Sequence, residues 1–108
     1  MIRNKEGKVD NAYILKHRLT LGTTVMTRGI ATICEEDETF AKEVRDAFTK
    51  YCECDWGDLC KEDSQMNDEA LENGNDRILA HYETSRDDIY IITEWDRSAT
   101  TILFTHEY

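Results

Sequence analysis

Between residues 77 and 105 the chain alternates apolar runs with polar breaks of hairpin length, and no other feature constrains the fold as tightly. The runs cover 77–83, 89–95 and 100–105, and the breaks read Thr-Ser-Arg-Asp-Asp and Asp-Arg-Ser-Ala. Each run is rich in β-branched or aromatic residues, or alternates apolar with polar. Breaks this short join antiparallel neighbours, because a parallel crossover needs a dozen or more residues. A three-stranded antiparallel meander is therefore expected. In its middle strand Ile89, Ile91, Thr93 and Trp95 share one face, and Tyr90, Ile92 and Glu94 the other.

Upstream, residues 23–27 are rich in β-branched residues, follow Gly22 and stop short of Gly29, which predicts a further strand. From Gly29 onward the period changes. Phe40, Val44, Ala47, Phe48 and Tyr51 fall at spacings of four, three, one and three, the stripe of an amphipathic helix. Ile30 and Ile33 fit a short helical turn before it. Glu35, Glu36, Asp37 and Glu38 precede the stripe, where the positive end of a helix favours negative charge. A second helix is expected over residues 59–73, with Asp58 as N-cap and Gly74 as stop. Its apolar residues are few (Leu59, Met66, Ala70, Leu71), so it belongs at the surface.

A length of 108 residues suits one domain with one modest core. The expected fold is a small single α+β domain. Its antiparallel sheet has about four strands, one N-terminal strand plus the C-terminal meander, with two helices packed on one face. Residues 1–18 read as a mobile basic arm and 19–108 as the domain. Proline is absent, so Gly, Asn and Asp make the turns.

Charge narrows the partners. Residues 1–28 hold six Lys/Arg and two Asp/Glu, a net of +4, and residues 29–108 hold seven and twenty-one, a net of −14. Nucleic-acid binding draws on Lys and Arg neutralising phosphates, so a body this acidic is not expected to bind nucleic acid directly. It suits a solvated surface, a cation or a basic protein partner. No apolar run approaches the ~20 residues of a membrane helix. The basic N-terminal residues have no apolar stretch behind them, so no export signal is expected. Both observations point to the cytoplasm, where Cys34, Cys52, Cys54 and Cys60 would be reduced thiols.

Four stretches invite chemistry. Cys52, Cys54 and Cys60 lie within nine residues, but Cys-x-Cys is tighter than the usual zinc pair. Cys34 or one of the scattered His17, His81 and His106 would have to complete a set. Partly buried thiols at a helix end are the expectation, with no metal and no cofactor. Trp56, before Gly57, reads as a packing anchor folded back by a sharp turn, the alternative being a platform for a ligand ring. Asp55, Asp58, Glu62, Asp63, Glu94 and Asp96 could hold Mg²⁺ if two or three converged. Phosphate loops, Gly-x-Ser-x-Gly and His-Glu-x-x-His are all missing. Lastly, the stretch 94–101, Glu-Trp-Asp-Arg-Ser-Ala-Thr-Thr, reads as a structural hairpin. In it a half-buried Glu94, or Asp96, pairs with Arg97, and Ser98 and the threonines bind turn backbone. The alternative is that Asp96 and Arg97 face outward and mark a binding edge.

The run from Trp56 to Asp58, then Asp63, Asn67, Ala70 and Leu71, resembles a family of short bacterial proteins carried on plasmids, phages and integrative elements. So do Arg77, Tyr82, and Thr93, Glu94, Asp96, Arg97, Ser98, Thr100 and Thr101. The resemblance covers residues 21–108. Some family members carry a type I restriction label, which 108 residues without a dinucleotide fingerprint cannot support as a methyltransferase subunit. The family pattern does not require the cysteines, and it implies no established activity. Together these readings lead to a non-enzymatic acidic binding protein of a mobile element, an inhibitor of a host defence or nucleic-acid-binding protein. The candidate binding residues are Trp56, Asp58, Asp63, Asn67, Arg77, Glu94, Asp96 and Arg97. The rival is a small metal- or ligand-binding domain, or metal-dependent enzyme, in which Trp56, Asp58, Glu94, Asp96 and Arg97 converge in one pocket. A third reading is homo-oligomerisation through a sheet edge.

Overall fold

The computed structural model describes residues 19–108, and the basic arm expected over 1–18 lies outside the described residues. The strands are β1 (Thr23–Met26), β2 (Ile78–Tyr82), β3 (Ile89–Thr93) and β4 (Ala99–Phe104), in spatial order β1-β4-β3-β2. The meander is present as expected. Its register sets Ile89 opposite Tyr82 and Phe104, Ile91 opposite Ala80 and Ile102, and Thr93 opposite Ile78 and Thr100. All nine of these side chains are buried on one face. The period of two thus converts directly into a core layer three strands wide.

The expected all-antiparallel sheet is corrected to a mixed one, because β1 runs parallel to β4. Hairpin breaks dictate direction, whereas the long segment between β1 and the meander leaves direction free. What decides it is where the chain must go next. Thr27 N–H donates to Ile102 O at 3.0 Å, so β1 ends beside the end of β4. The helix that follows is delivered onto the core face next to Phe104.

There are three helices, not two: α1 (Arg28–Glu36), α2 (Glu38–Cys52) and α3 (Lys61–Asn73). Asp37 divides the first pair. Its backbone is extended at φ −135° and its carboxylate accepts the Phe40 N–H at 3.0 Å, an N-cap that starts α2 afresh. Glu35 and Glu36 therefore end α1 instead of opening the next helix. Ile30, Phe40, Val44, Ala47 and Tyr51 turn into the core against the sheet face. The third helix begins at Lys61 with Cys60 as N-cap, so Asp58 does not cap it. Gly74 does stop it, in the left-handed conformation at φ 68°. As expected, α3 is mostly exposed, burying Asn67, Ala70 and Leu71.

One buried feature has no periodic signature. Thr100 Oγ1 donates to Leu21 O at 2.7 Å, and it lies 2.8 Å from Thr93 Oγ1, which lies 2.6 Å from Tyr51 Oη. The Thr100 proton is committed to a carbonyl, so Thr93 donates to Thr100 and Tyr51 donates to Thr93. This chain of hydroxyls ties α2, β3 and β4 to the segment entering β1. Burial pushes the Tyr51 phenol well above its usual range, and Tyr82, whose hydroxyl donates to Asp55 O at 2.7 Å, likewise.

Candidate functional site

β2 is an edge strand, and an edge strand presents unpaired N–H and C=O groups. Here the residues singled out in the sequence cover them. Asn67 is 6% exposed; its Nδ2 donates to Leu79 O at 2.8 Å, and its Oδ1 accepts the Leu79 N–H at 3.2 Å. A side-chain amide thus replaces a neighbouring peptide group. Two residues further on, the His81 N–H donates to Trp56 O at 3.3 Å and the Asp58 N–H donates to His81 O at 2.7 Å. The Asp58 carboxylate then accepts the Glu83 N–H at 3.0 Å. Gly57 permits this approach. Its φ is 75°, and a Cβ there would stand 2.2 Å from His81 O.

Trp56 is the packing anchor. It is 4% exposed, meets the Tyr51 ring edge-on at 5.3 Å, and donates its indole N–H to Asp68 Oδ1 at 2.9 Å. Neither of its ring faces is offered to a ligand.

In the β3–β4 hairpin the expected carboxylate pairing of Arg97 is replaced by a clamp on backbone carbonyls. Its guanidinium donates to Asp76 O at 2.6 Å, Ala70 O at 2.9 Å and Glu94 O at 3.2 Å. The Ala70 carbonyl, in the last turn of α3, also accepts the Gly74 N–H at 2.8 Å, so Arg97 is its second donor. Arg97 itself is left-handed at φ 61°, because the Arg97 N–H returns to Glu94 O in a tight turn. The turn ends β3 at Thr93, which leaves Trp95 64% exposed and off the inward face expected for it. Glu94 is exposed, not half-buried. Asp96 Oδ1 accepts the Ser98 N–H at 3.0 Å, and hydrogen bonds from the Ser98 side chain and amide hold the carboxyl below its usual range.

Asp63, Asn67 and Arg77 do come together. With Leu59, Met66, Asp76 and Leu79 they line a cleft of about 300 Å³ between α3 and the start of β2. Arg77 also bonds the Tyr108 hydroxyl and stands 5.7 Å from its ring centre. Asp58 and Glu94 lie elsewhere. Asp58 lines a separate hollow with Asp46, Lys50 and Glu83, and Glu94 another that it shares with Arg77, Ile92, Leu103 and Tyr108.

The acidic charge is unevenly placed. Along α2, residues 38–52 hold three Asp/Glu and three Lys/Arg, a net of zero. Residues 53–76, the loop and α3, hold nine Asp/Glu and one lysine, a net of −8. Eight of those nine acids are exposed, Asp68 being half-buried against Trp56. Among the described residues no group of three His, Cys, Asp or Glu is placed to hold a metal ion, and no helix is long and apolar enough to cross a membrane. Cys34, Cys52 and Cys54 are half-buried, and Cys60 is exposed at the start of α3.

Asn67, Trp56 and Arg97 were legible as unusual positions, but their work on backbone groups has no sequence signal. Sequence pattern does not reveal the Thr93 and Thr100 hydroxyl chain. Its trace is a pair of threonines at inward positions of otherwise apolar strands. No family model, curated protein or solved structure matches this chain.

Proposed function

We propose that this chain is a non-enzymatic acidic binding protein, of the kind a mobile element directs against a host defence or nucleic-acid-binding protein. Its contact surface is the edge made by residues 53–76, the loop and α3 with the turn after it. The observation that carries this reading is the concentration of net −8 on that edge beside a neutral α2. Carboxylates held on a helix and a braced loop can occupy a basic groove where phosphates would otherwise lie. Trp56, Asp58 and Arg97, three of the five residues the rival metal or enzyme reading would recruit, are engaged together with Asn67 in holding that edge in place.

The test is a pull-down of the tagged full chain from host lysate at low and raised salt, with partners identified by mass spectrometry. A basic nucleic-acid-binding protein captured at low salt and weakened by salt is the expected result. The Glu62→Lys/Glu69→Lys variant should lose it, and Glu38→Lys on α2 should not. Equal capture by both variants would remove α3 from the proposal.

The cleft favours a second reading, a small ligand held by Asp63 and Arg77. A thermal shift with Mg²⁺, Mn²⁺ or nucleotides tests it, since a ligand selective for the folded state raises the melting point. No shift at millimolar ligand would set it aside.

A further inference from the structure

The two edges of the sheet are treated oppositely. At β2, Leu79, His81 and Glu83 have their outward backbone groups covered, as described. At β1, among the described residues, no strand or side chain covers the outer edge. Thr23 N–H donates to Ser98 O and Thr27 N–H to Ile102 O, each at 3.0 Å. Residues 23, 25 and 27 therefore face β4. By alternation, Thr24 and Met26 direct their N–H and C=O groups away from the sheet. Natural sheets protect such an edge with charge, proline or a covering segment. None of the first two is present: residues 19–27, Leu-Thr-Leu-Gly-Thr-Thr-Val-Met-Thr, carry no charge in a chain that is 33% charged. Val25 and Met26 are each 45% exposed.

We propose that β1 is a self-association edge, pairing antiparallel with β1 of a second copy to form one continuous eight-stranded sheet. A two-fold axis at Val25 sets Thr24 opposite Met26 of the second copy. The two outward-facing residues then exchange N–H···O bonds in both directions, and the two Val25 side chains meet across the axis. Such a surface is self-complementary, as an isologous contact requires.

Charge selects a second copy at this edge and excludes it from the other. The −8 segment lies along β2, three strand spacings or about 14 Å from β1. That exceeds the screening length of about 8 Å at physiological salt, so repulsion between two copies is largely screened at β1 and would be strongest at α3. The repulsion that remains between two net-negative copies falls further as salt rises, so salt should strengthen this contact, the opposite sign to that expected for a basic partner docked on α3. The failure of one proposal is thus distinguishable from the failure of the other.

Sedimentation of the full chain from about 1 µM to about 1 mM spans the affinities of weak interfaces, those with a dissociation constant from micromolar to millimolar. The expected result is a monomer–dimer equilibrium that shifts toward dimer with concentration and with salt. Thr24→Pro removes an outward donor and no bond to β4, so it should weaken the dimer at least ~10-fold while the melting point holds within a few degrees. Val25→Lys and Val25→Glu should each be monomeric alone and associate when mixed, a rescue that misfolding cannot produce. Several outcomes would overturn the proposal: a monomer at every concentration, a dimer indifferent to Thr24→Pro, or a dimer dissolved by salt. So would slow amide exchange at Thr24 and Met26 in dilute monomer, which would mean that the chain covers its own edge.

Discussion

Replacing Asn67 by aspartate tests the brace on β2 with almost no change of shape. The carboxylate keeps the acceptor for the Leu79 N–H at 3.2 Å but loses the donor that reaches Leu79 O at 2.8 Å, and sets a negative oxygen against that carbonyl. The lost hydrogen bond is worth about 1 kcal/mol, and a mostly buried charge facing an acceptor adds about 2 kcal/mol more. The deficit at pH 7 is then about 3 kcal/mol, or roughly 15 °C in melting point for a domain of this size. The larger part is tied to ionisation. In the folded state the introduced carboxyl has its pKa raised, because the neutral form can donate to Leu79 O. A raised carboxyl destabilises above the folded pKa, and the penalty disappears below the unfolded value of about 4. The deficit relative to the parent should shrink by about 2 kcal/mol as pH falls from about 5.5 to about 4, at about 1.4 kcal/mol per pH unit. Asn67→Leu, with nothing to titrate, should keep its deficit throughout. Urea unfolding of parent and both variants at pH 7, 5.5 and 4, read by tryptophan emission, measures the difference at each pH. A deficit for Asn67→Asp below about 1 kcal/mol, or one that does not change with pH, would refute the role assigned to this amide.

Three further outcomes follow from the same geometry. Arg97→Ala should destabilise by about 2–3 kcal/mol, because the carbonyls of Asp76 and Ala70 lose a charged donor. Arg97→Gly should be about 1 kcal/mol less harmful, since glycine adopts the left-handed φ of 61° without strain. Trp95→Phe should leave blue-shifted emission poorly quenched by acrylamide, and Trp56→Phe should leave red-shifted, easily quenched emission, because Trp56 is 4% exposed and Trp95 64%. In alkali, the raised phenols of Tyr51 and Tyr82 bind protons more tightly folded than unfolded. Stability should therefore hold up to about pH 10 and then fall by up to about 1.4 kcal/mol per pH unit for each of them, with Tyr51→Phe removing one contribution.

The meander was legible because hairpin breaks and a period of two are local properties. Ile89, Ile91 and Thr93 face inward in the structure as the alternation requires, and Ile92 is buried as well on the opposite face. Phe40 to Tyr51 were legible for the same reason, as was Gly74. In the sequence Asp37 is one acid among four, and only its extended backbone makes it the divider between two helices. Alternation extended past Thr93 places Trp95 inward, but the strand ends at Thr93 and the turn begins there. Of the eight candidate site residues, Asp63, Asn67 and Arg77 share one cleft and Arg77 and Glu94 line a second hollow, while Trp56, Asp58, Asp96 and Arg97 are set around the fold by separate tasks.

Local pattern, in short-range backbone geometry and hydrophobic spacing, was sufficient for the α+β class, the three C-terminal strands and their order along the chain. Tertiary structure decided the direction of β1, which of two edges stays open, and where the acids gather. Those depend on backbone groups meeting partners dozens of residues away: Leu79 with Asn67, Ala70 with Arg97, Leu21 with Thr100. A residue's type does not say which distant carbonyl it will serve, because that choice is made by packing after the local elements exist.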